Sequence, residues 1–119
     1  MANPNIVNVT AIYGNTSTAA LATTNAAIVS NASGSGKIYK INSLYISNSQ
    51  GTNAADVTIE HVGATRIPLA STISVAADST LVLITKDTAL YLLENQTLNG
   101  SCNVAGHLNY LCSWDEINA

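Results

Sequence analysis

Strand-like segments recur along the whole chain, and helix-like patterns hardly appear. Segments rich in Val, Ile, Thr and Tyr are separated by Gly, Asn, Ser or Pro at intervals of about ten residues. In the clearest of them, residues 54–62 (AADVTIEHV), Ala55, Val57, Ile59 and His61 alternate with polar residues, which is typical of a strand with one solvent-facing side. A chain of 119 residues is long enough for one domain with a two-layer core. The sequence therefore predicts an all-β single domain, an antiparallel β-sandwich of jelly-roll or immunoglobulin-like topology.

The domain boundaries follow from the N-terminal composition. We assign residues 1–15 to an extended N-terminal arm that includes the first strand, and residues 16–119 to the β-sandwich domain. Residues 6–13 have strand-like composition. Residues 17–30 are rich in Ala, which suits a helix, and in Thr with an Ile28-Val29 pair, which favours extended structure.

The same patterns predict two hairpins and an edge strand. Residues 41–47 and 54–62 would pair across the Gly- and Asn-containing loop 48–53. Residues 98–114 (LNGSCNVAGHLNYLCSW) would form a second hairpin around Gly106, with Leu108, Tyr110, Cys112 and Trp114 on one face. Residues 64–69 are predicted to lie at a sheet edge because Pro68 cannot donate to a central ladder. Residues 71–75, 80–84 and 89–93 are three further predicted strands.

A glycine run before Lys37 resembles a phosphate-binding loop at first sight. Residues 31–46 read NASGSGKIYKINSLYI. A phosphate loop requires Gly where Asn31 stands, a hydroxyl residue where Ile38 stands, and a following helix. Residues 38–46 favour a strand instead. The run is therefore predicted to be a Gly-Ser turn that leads into a central strand beginning near Lys37.

The remaining polar residues form no recognisable catalytic or metal-binding pattern. His61 and His107 have no Ser, Cys or carboxylate in a known relation to them. Asp56 and Glu60 share one face of their strand, where a solvated face is a better interpretation than a calcium site. We therefore predict no enzymatic activity, no catalytic, cofactor-binding or metal-binding residues, and no cofactor.

The two cysteines, Cys102 and Cys112, lie symmetrically about His107. A hairpin loop of residues 106–108 would place them opposite each other, at a Cα separation of about 4.5 Å that permits a disulfide. A shift of one residue in register would separate them. Buried free thiols are the favoured prediction, and a disulfide is the alternative.

The low charge limits the partners that this chain can bind. It has four basic and seven acidic residues, a net charge of −3, and 14 Asn, 13 Thr and 12 Ser. Without a basic patch, nucleic-acid binding is not expected. No apolar segment reaches the length of a membrane span or a signal peptide, so neither membrane insertion nor secretion by that route is expected. Neutral polar side chains are cheaper to bury than charges, which suits a subunit of an assembly.

Three segments of the chain share a pattern of strands and turns: residues 39–61 (YKINSLYISNSQGTNAADVTIEH), 69–98 (LASTISVAADSTLVLITKDTALYLLENQTL) and 112–118 (CSWDEIN). Together they resemble small virion structural proteins of tailed bacteriophages, particularly cyanophages. The positions that match the family pattern are Gly51, Thr52, Asn53, Ala76, Ala77, Thr80, Leu81, Lys86, Tyr91, Leu92, Glu94, Asp115, Glu116 and Ile117.

The resemblance implies a non-enzymatic β-sandwich located in a virion that is assembled in the host cytoplasm. It leads us to expect a capsid decoration (cement) protein that binds the major capsid protein or other virion proteins and self-associates, for example as a trimer. A tail or neck structural protein and a carbohydrate-binding adhesin module are the alternatives. We also expect residues 1–5 to act as a lacing arm in the assembled particle.

Overall fold

The computed structural model describes residues 10–118 of the chain, and these residues form nine β-strands and one short 3-10 helix (Lys86–Thr88). The strands are β1 (Ala11–Ala20), β2 (Ala26–Asn31), β3 (Lys37–Asn48), β4 (Ala55–Val62), β5 (Arg66–Val75), β6 (Thr80–Ile84), β7 (Leu90–Leu92), β8 (Gln96–Cys102) and β9 (Leu108–Asn118).

The strands form two antiparallel sheets that pack face to face. Sheet A has the order β1-β9-β3-β6, with β7 paired to the same side of β3 as β6, and sheet B has the order β2-β8-β4-β5. Most consecutive strands lie in different sheets, so the chain crosses repeatedly between the two layers. This is the topology of a jelly roll. The predicted all-β sandwich is confirmed, and of the two predicted topologies the jelly roll is the one formed.

The core lies between the sheets and is built from the alternating inward residues of both. Ile41, Leu44 and Ile46 of β3 face Val57 and Ile59 of β4, and all five side chains are fully buried. Residues that alternate with them point to the two outer faces. The inward face predicted for residues 108–114 is confirmed, because Leu108 and Cys112 are buried while Tyr110 and Trp114 pack against the core.

Both predicted hairpins are wrong. The strands β3 and β4 lie in different sheets, as do β8 and β9, so residues 49–54 and 103–107 are crossing connections. Each connection is long enough to span the ~10 Å between packed sheets. Alternation of apolar residues predicts which side of a strand is buried, but it does not distinguish a partner in the same sheet from one across the core.

The edge position predicted for the segment around Pro68 is confirmed, but the strand there is longer than expected. Residues 64–69 and 71–75 were predicted as separate strands, whereas β5 is continuous from Arg66 to Val75 and, among the described strands, pairs only with β4. Two register shifts interrupt this pairing, and Thr72 has a φ of 54°. The ambiguous residues 17–30 contain the end of β1 and most of β2, and residues 21–25 form the connection between the two strands. Of the predicted arm, residues 1–9 lie outside the described part of the chain.

Two buried asparagines hold the connections at the two ends of β3. The Asn48 Nδ2 group donates to the carbonyls of Asn53 and Val75, each at 3.0 Å, and its Oδ1 accepts from the Gln50 amide at 2.9 Å. At the other end, the Asn31 Nδ2 group donates to the carbonyls of Lys37 and Leu92, each at 3.0 Å. Each side chain therefore satisfies carbonyls that belong to different segments of the chain.

Replacing Asn48 by alanine is expected to lower the free energy of unfolding by roughly 1–3 kcal/mol, because the buried hydrogen bond from its Nδ2 group to the Val75 carbonyl would be lost. Urea denaturation of the purified protein measures this loss. The control is Asn25→Ala, which removes an exposed hydrogen bond to Glu60 and should cost well under half as much. Equal losses for the two variants would contradict the structural role given to Asn48.

The closest packing around a glycine occurs at Gly100 of β8. A Cβ atom at this position would lie 2.9 Å from Ile28 Cδ1 and 3.0 Å from both Ile59 Cδ1 and Leu21 Cδ2. Ile28 lies on β2, Ile59 on β4, and Leu21 in the segment that precedes β2. The core therefore leaves no room for a methyl group at this point of sheet B.

Gly100→Ala is expected to destabilise the protein by roughly 1–3 kcal/mol through overpacking. The matched control is Gly14→Ala in β1, where a Cβ atom would have no heavy atom within 4 Å. The melting temperature by circular dichroism is expected to fall for the first variant and to stay unchanged or rise for the second. A Gly100→Ala protein as stable as the wild type would show that the core is looser than described.

Candidate interaction surface

The glycine run lies where the sequence predicted a turn. Gly34 and Gly36 have φ values of 75° and 70°, which favour glycine, and β3 begins at Lys37. The Gly36 amide donates to Glu94 Oε1 at 2.6 Å. A strand, rather than a helix N-terminus, follows the turn, so the arrangement that binds phosphate in a phosphate loop is not formed here.

A small polar cluster surrounds the start of β3. Lys37 Nζ lies 3.3 Å from Glu116 Oε2 on the neighbouring strand β9. The pKa of Tyr39 is raised, mainly by burial and to a lesser extent by the negative charge of Glu116. The centroid of the Tyr39 ring lies 6.3 Å from that of the Trp114 ring. These contacts link β3 to β9 within the same sheet, and they give Lys37 a structural partner.

The histidines and carboxylates considered in the sequence are not brought together. His61 Nε2 lies 3.2 Å from Gln96 Oε1 in sheet B, whereas His107 lies in the connection before β9. Glu60 accepts from Arg66 and from Asn25, each at 2.7 Å. Within residues 10–118 there is no group of three potential metal ligands, no cavity, and no helix long and apolar enough to cross a membrane.

Both cysteines are buried free thiols, as predicted. Cys102 is in sheet B, where its Cα partner is Val57, and Cys112 is in sheet A, between Ser17 and Leu44. The opposed arrangement that would permit a disulfide is not formed, because β8 and β9 are not a hairpin. Burial raises the pKa of the Cys112 thiol to about 12, and it also raises the pKa of Cys102.

Neither thiol is expected to react with a thiol reagent in the folded protein at pH 8, where both are buried and protonated. Mass spectrometry after iodoacetamide treatment should show no adduct in buffer and two adducts in 8 M urea. Rapid labelling of the folded protein would contradict the burial of the two thiols.

The raised pKa of the Cys112 thiol also predicts a pH dependence of stability. The ordinary pKa of a cysteine thiol is 9.0, and that of Cys112 in the folded protein is about 12. Stability therefore falls as the pH rises between these two values, since only the unfolded state then loses the proton.

The long edge strand β1 is the most unusual surface feature. Among residues 10–118 it pairs only with β9, in an unbroken register from Ala11↔Asn118 to Ala20↔Asn109. Its sequence, AIYGNTSTAA, contains no charged residue and no proline, and most of its residues are exposed. An edge strand presents a row of unpaired N–H and C=O groups, and natural proteins usually block such edges with Lys, Pro, bulges or short length. None of these features blocks β1.

The other edge strands do carry such features. The strand β5 contains Arg66 and Pro68 and has two register shifts. The strand β2 is six residues long with a register shift, and β6 and β7 are short strands separated by the charged turn that contains Lys86 and Asp87. Among the strands described, β1 is therefore the edge best suited to pairing with another chain.

The edge of β1 was missed in the sequence. Residues 11–20 were divided between a predicted strand and an ambiguous segment, because small polar residues such as Thr, Ser and Asn give little indication of burial. The absence of charge and proline over ten consecutive residues was the available signal. It becomes informative only when the strand order shows that β1 lies at an edge.

No family model and no curated protein matches this chain. The fold is similar to that of a solved structure from Bacillus, whose endospore appendages form a novel family of disulfide-linked pili. The alignment covers 99% of this chain and 96% of that chain, with a TM-score of 0.52 and 18% sequence identity. This similarity supports the β-sandwich architecture over its full length.

The function predicted from the sequence needs correction. The structural neighbour is a pilus-forming appendage protein, so the prediction of a bacteriophage capsid decoration protein, with the tail or neck protein as an alternative, is wrong. The residues that carried the resemblance to virion proteins lie in the strands of the β-sandwich and in the turns between them. The alternative prediction of a carbohydrate-binding adhesin module is weakened as well. Trp114, the best candidate for an aromatic ring that stacks on a sugar, packs against the core.

Proposed function

We propose that this protein is a non-enzymatic structural subunit that assembles with copies of itself into a pilus-like filament. The observation that carries the proposal is the unprotected edge of β1. A second copy that places a strand along this edge would extend sheet A through main-chain hydrogen bonds. The full-length similarity in fold to a pilus-forming appendage protein supports a filament as the form of this assembly.

The composition fits repeated contacts between identical chains. With four basic and seven acidic residues among 119, two copies can approach over most of their surface without burying unpaired charge. Individual contacts of this kind are weak, but repetition along a filament makes dissociation of one subunit require the loss of several contacts. Copies of this chain are therefore the proposed partners.

The proposed filament differs from the Bacillus appendages in how its subunits are held together. Those appendages are described as disulfide-linked. In this chain, Cys102 and Cys112 are its two cysteines, and both are buried in the core cluster. A thiol in the core cannot reach a neighbouring subunit while the domain is folded. We therefore propose that the contacts between subunits are noncovalent.

Ala19→Lys tests the proposal. Ala19 is an exposed residue of β1 whose Cα partner is Tyr110, so a lysine here lies at the rim of the sandwich beside the open edge. Charged residues at such positions prevent edge pairing. We expect the wild type to form filaments visible by negative-stain electron microscopy, without sensitivity to reducing agents, and Ala19→Lys to form no filaments.

The control is Ser71→Lys, which places the same charge at an exposed position of β5, an edge that is already protected. It should assemble like the wild type, and both variants should retain the wild-type melting temperature. A wild-type protein that stays monomeric in sedimentation velocity at high concentration would contradict the proposed function. Assembly of Ala19→Lys equal to that of the wild type would remove β1 from the mechanism.

A further inference from the structure

The outer face of sheet A carries a row of exposed apolar side chains. Tyr45 on β3 has Leu111 on β9 and Val82 on β6 as its Cα partners, one on each side. Their exposed fractions are 39% for Tyr45, 36% for Leu111 and 48% for Val82. Thr18 of β1, the other Cα partner of Leu111, continues the row to the open edge. The row therefore crosses the full width of the sheet.

The side chains around this row are small and uncharged. The row on one side contains Ser43, Ser113 and Thr16, and the Thr16 and Ser113 hydroxyls lie 3.0 Å apart. The row on the other side contains Ser47 and Asn109. Lys40 and Asp115 are farther along the same face, and they are Cα partners with opposite charges. The face as a whole is neutral.

The outer face of sheet B is more polar along its two central strands, β4 and β8, whereas β5 at its edge carries the exposed apolar residues Ile67, Leu69 and Ile73. Asp56, Thr58 and Glu60 of β4 alternate with the core residues of that strand and point outward. Their Cα partners on β8 include Ser101 and Asn99, which are polar. Glu60 also holds an ion pair with Arg66. The polar centre of this face is suited to remain in water, whereas the apolar row on sheet A gains free energy when it is covered.

A filament requires each subunit to have at least two distinct contact surfaces. Pairing along β1 alone, if it is two-fold symmetric, would close into a dimer. The outer face of sheet A is continuous with that edge through Thr18 and offers a second surface. Its neutrality means that two identical faces can approach without repulsion between like charges. A second copy of this chain is the occupant that fits these requirements.

We infer that the outer face of sheet A packs against the same face of another copy of this chain, while the outer face of sheet B remains exposed to solvent. This inference rests on the proposed self-assembly and adds its second interface. Tyr45, Leu111 and Val82 provide the apolar centre of the contact, and the surrounding Ser, Thr and Asn side chains form its polar rim.

Two variants with a matched control test the inference. Val82→Lys and Tyr45→Lys each place a charge in the centre of the proposed contact, at side chains outside the core. Ser101→Lys places the same charge on the outer face of sheet B. Sedimentation velocity over a concentration series gives the concentration at which half of the protein is assembled. Melting temperatures establish that each variant folds, and using two positions guards against the loss of one variant to misfolding.

We expect Val82→Lys and Tyr45→Lys to raise this half-assembly concentration by roughly tenfold or more, and Ser101→Lys to leave it unchanged. If both charged variants assemble at the same concentration as the wild type, the inference is overturned. This result is also the one expected if the outer face of sheet A binds a different protein. If Ala19→Lys still blocks assembly in that case, the proposed function stands and only the second interface is lost. A wild-type protein that never assembles removes both.

Discussion

The architecture depends on connections that cross between two sheets, and two buried asparagines fix those connections at the ends of the central strand β3. Asn31 and Asn48 each donate two hydrogen bonds to backbone carbonyls from separate segments. Between these two residues, β3 pairs with β9 along its whole length. The ends of β3 are therefore held in polar contacts and its middle in the apolar core. The outward-facing side chains of sheet A and the edge of β1 take no part in this core.

Part of this fold could be predicted from local patterns. The start of β3 at Lys37, the extent of β6 and the edge position of Pro68 followed from turn residues, apolar alternation and the missing proline N–H. Sheet membership could not be predicted, because apolar alternation is the same whether the next strand pairs alongside or crosses the core. The edge of β1 and the row through Tyr45 were missed for the same reason. The row joins β3, β6 and β9, which only the strand order brings together.

Low charge, buried thiols and an open edge are consistent with one another in the proposed self-assembling subunit. The cysteines are committed to the core, so they stabilise the domain rather than linking it to neighbours. The charged residues of the two outer faces are concentrated on sheet B or paired, as with Lys40 and Asp115. What remains on sheet A is a neutral surface next to ten residues of unprotected strand. The outer face of sheet A is thus better suited to contact than the polar centre of sheet B.

The central claim is that the edge of β1 is covered by another copy of the same chain. Hydrogen–deuterium exchange of the dilute monomer and of the assembled protein, followed by mass spectrometry of peptides that cover residues 11–20, measures this directly. If a second copy covers this edge, the outward-facing β1 amides exchange rapidly in the monomer and are strongly protected in the assembly, with β5 peptides unchanged. Assembly without any change in the exchange of β1 would contradict it.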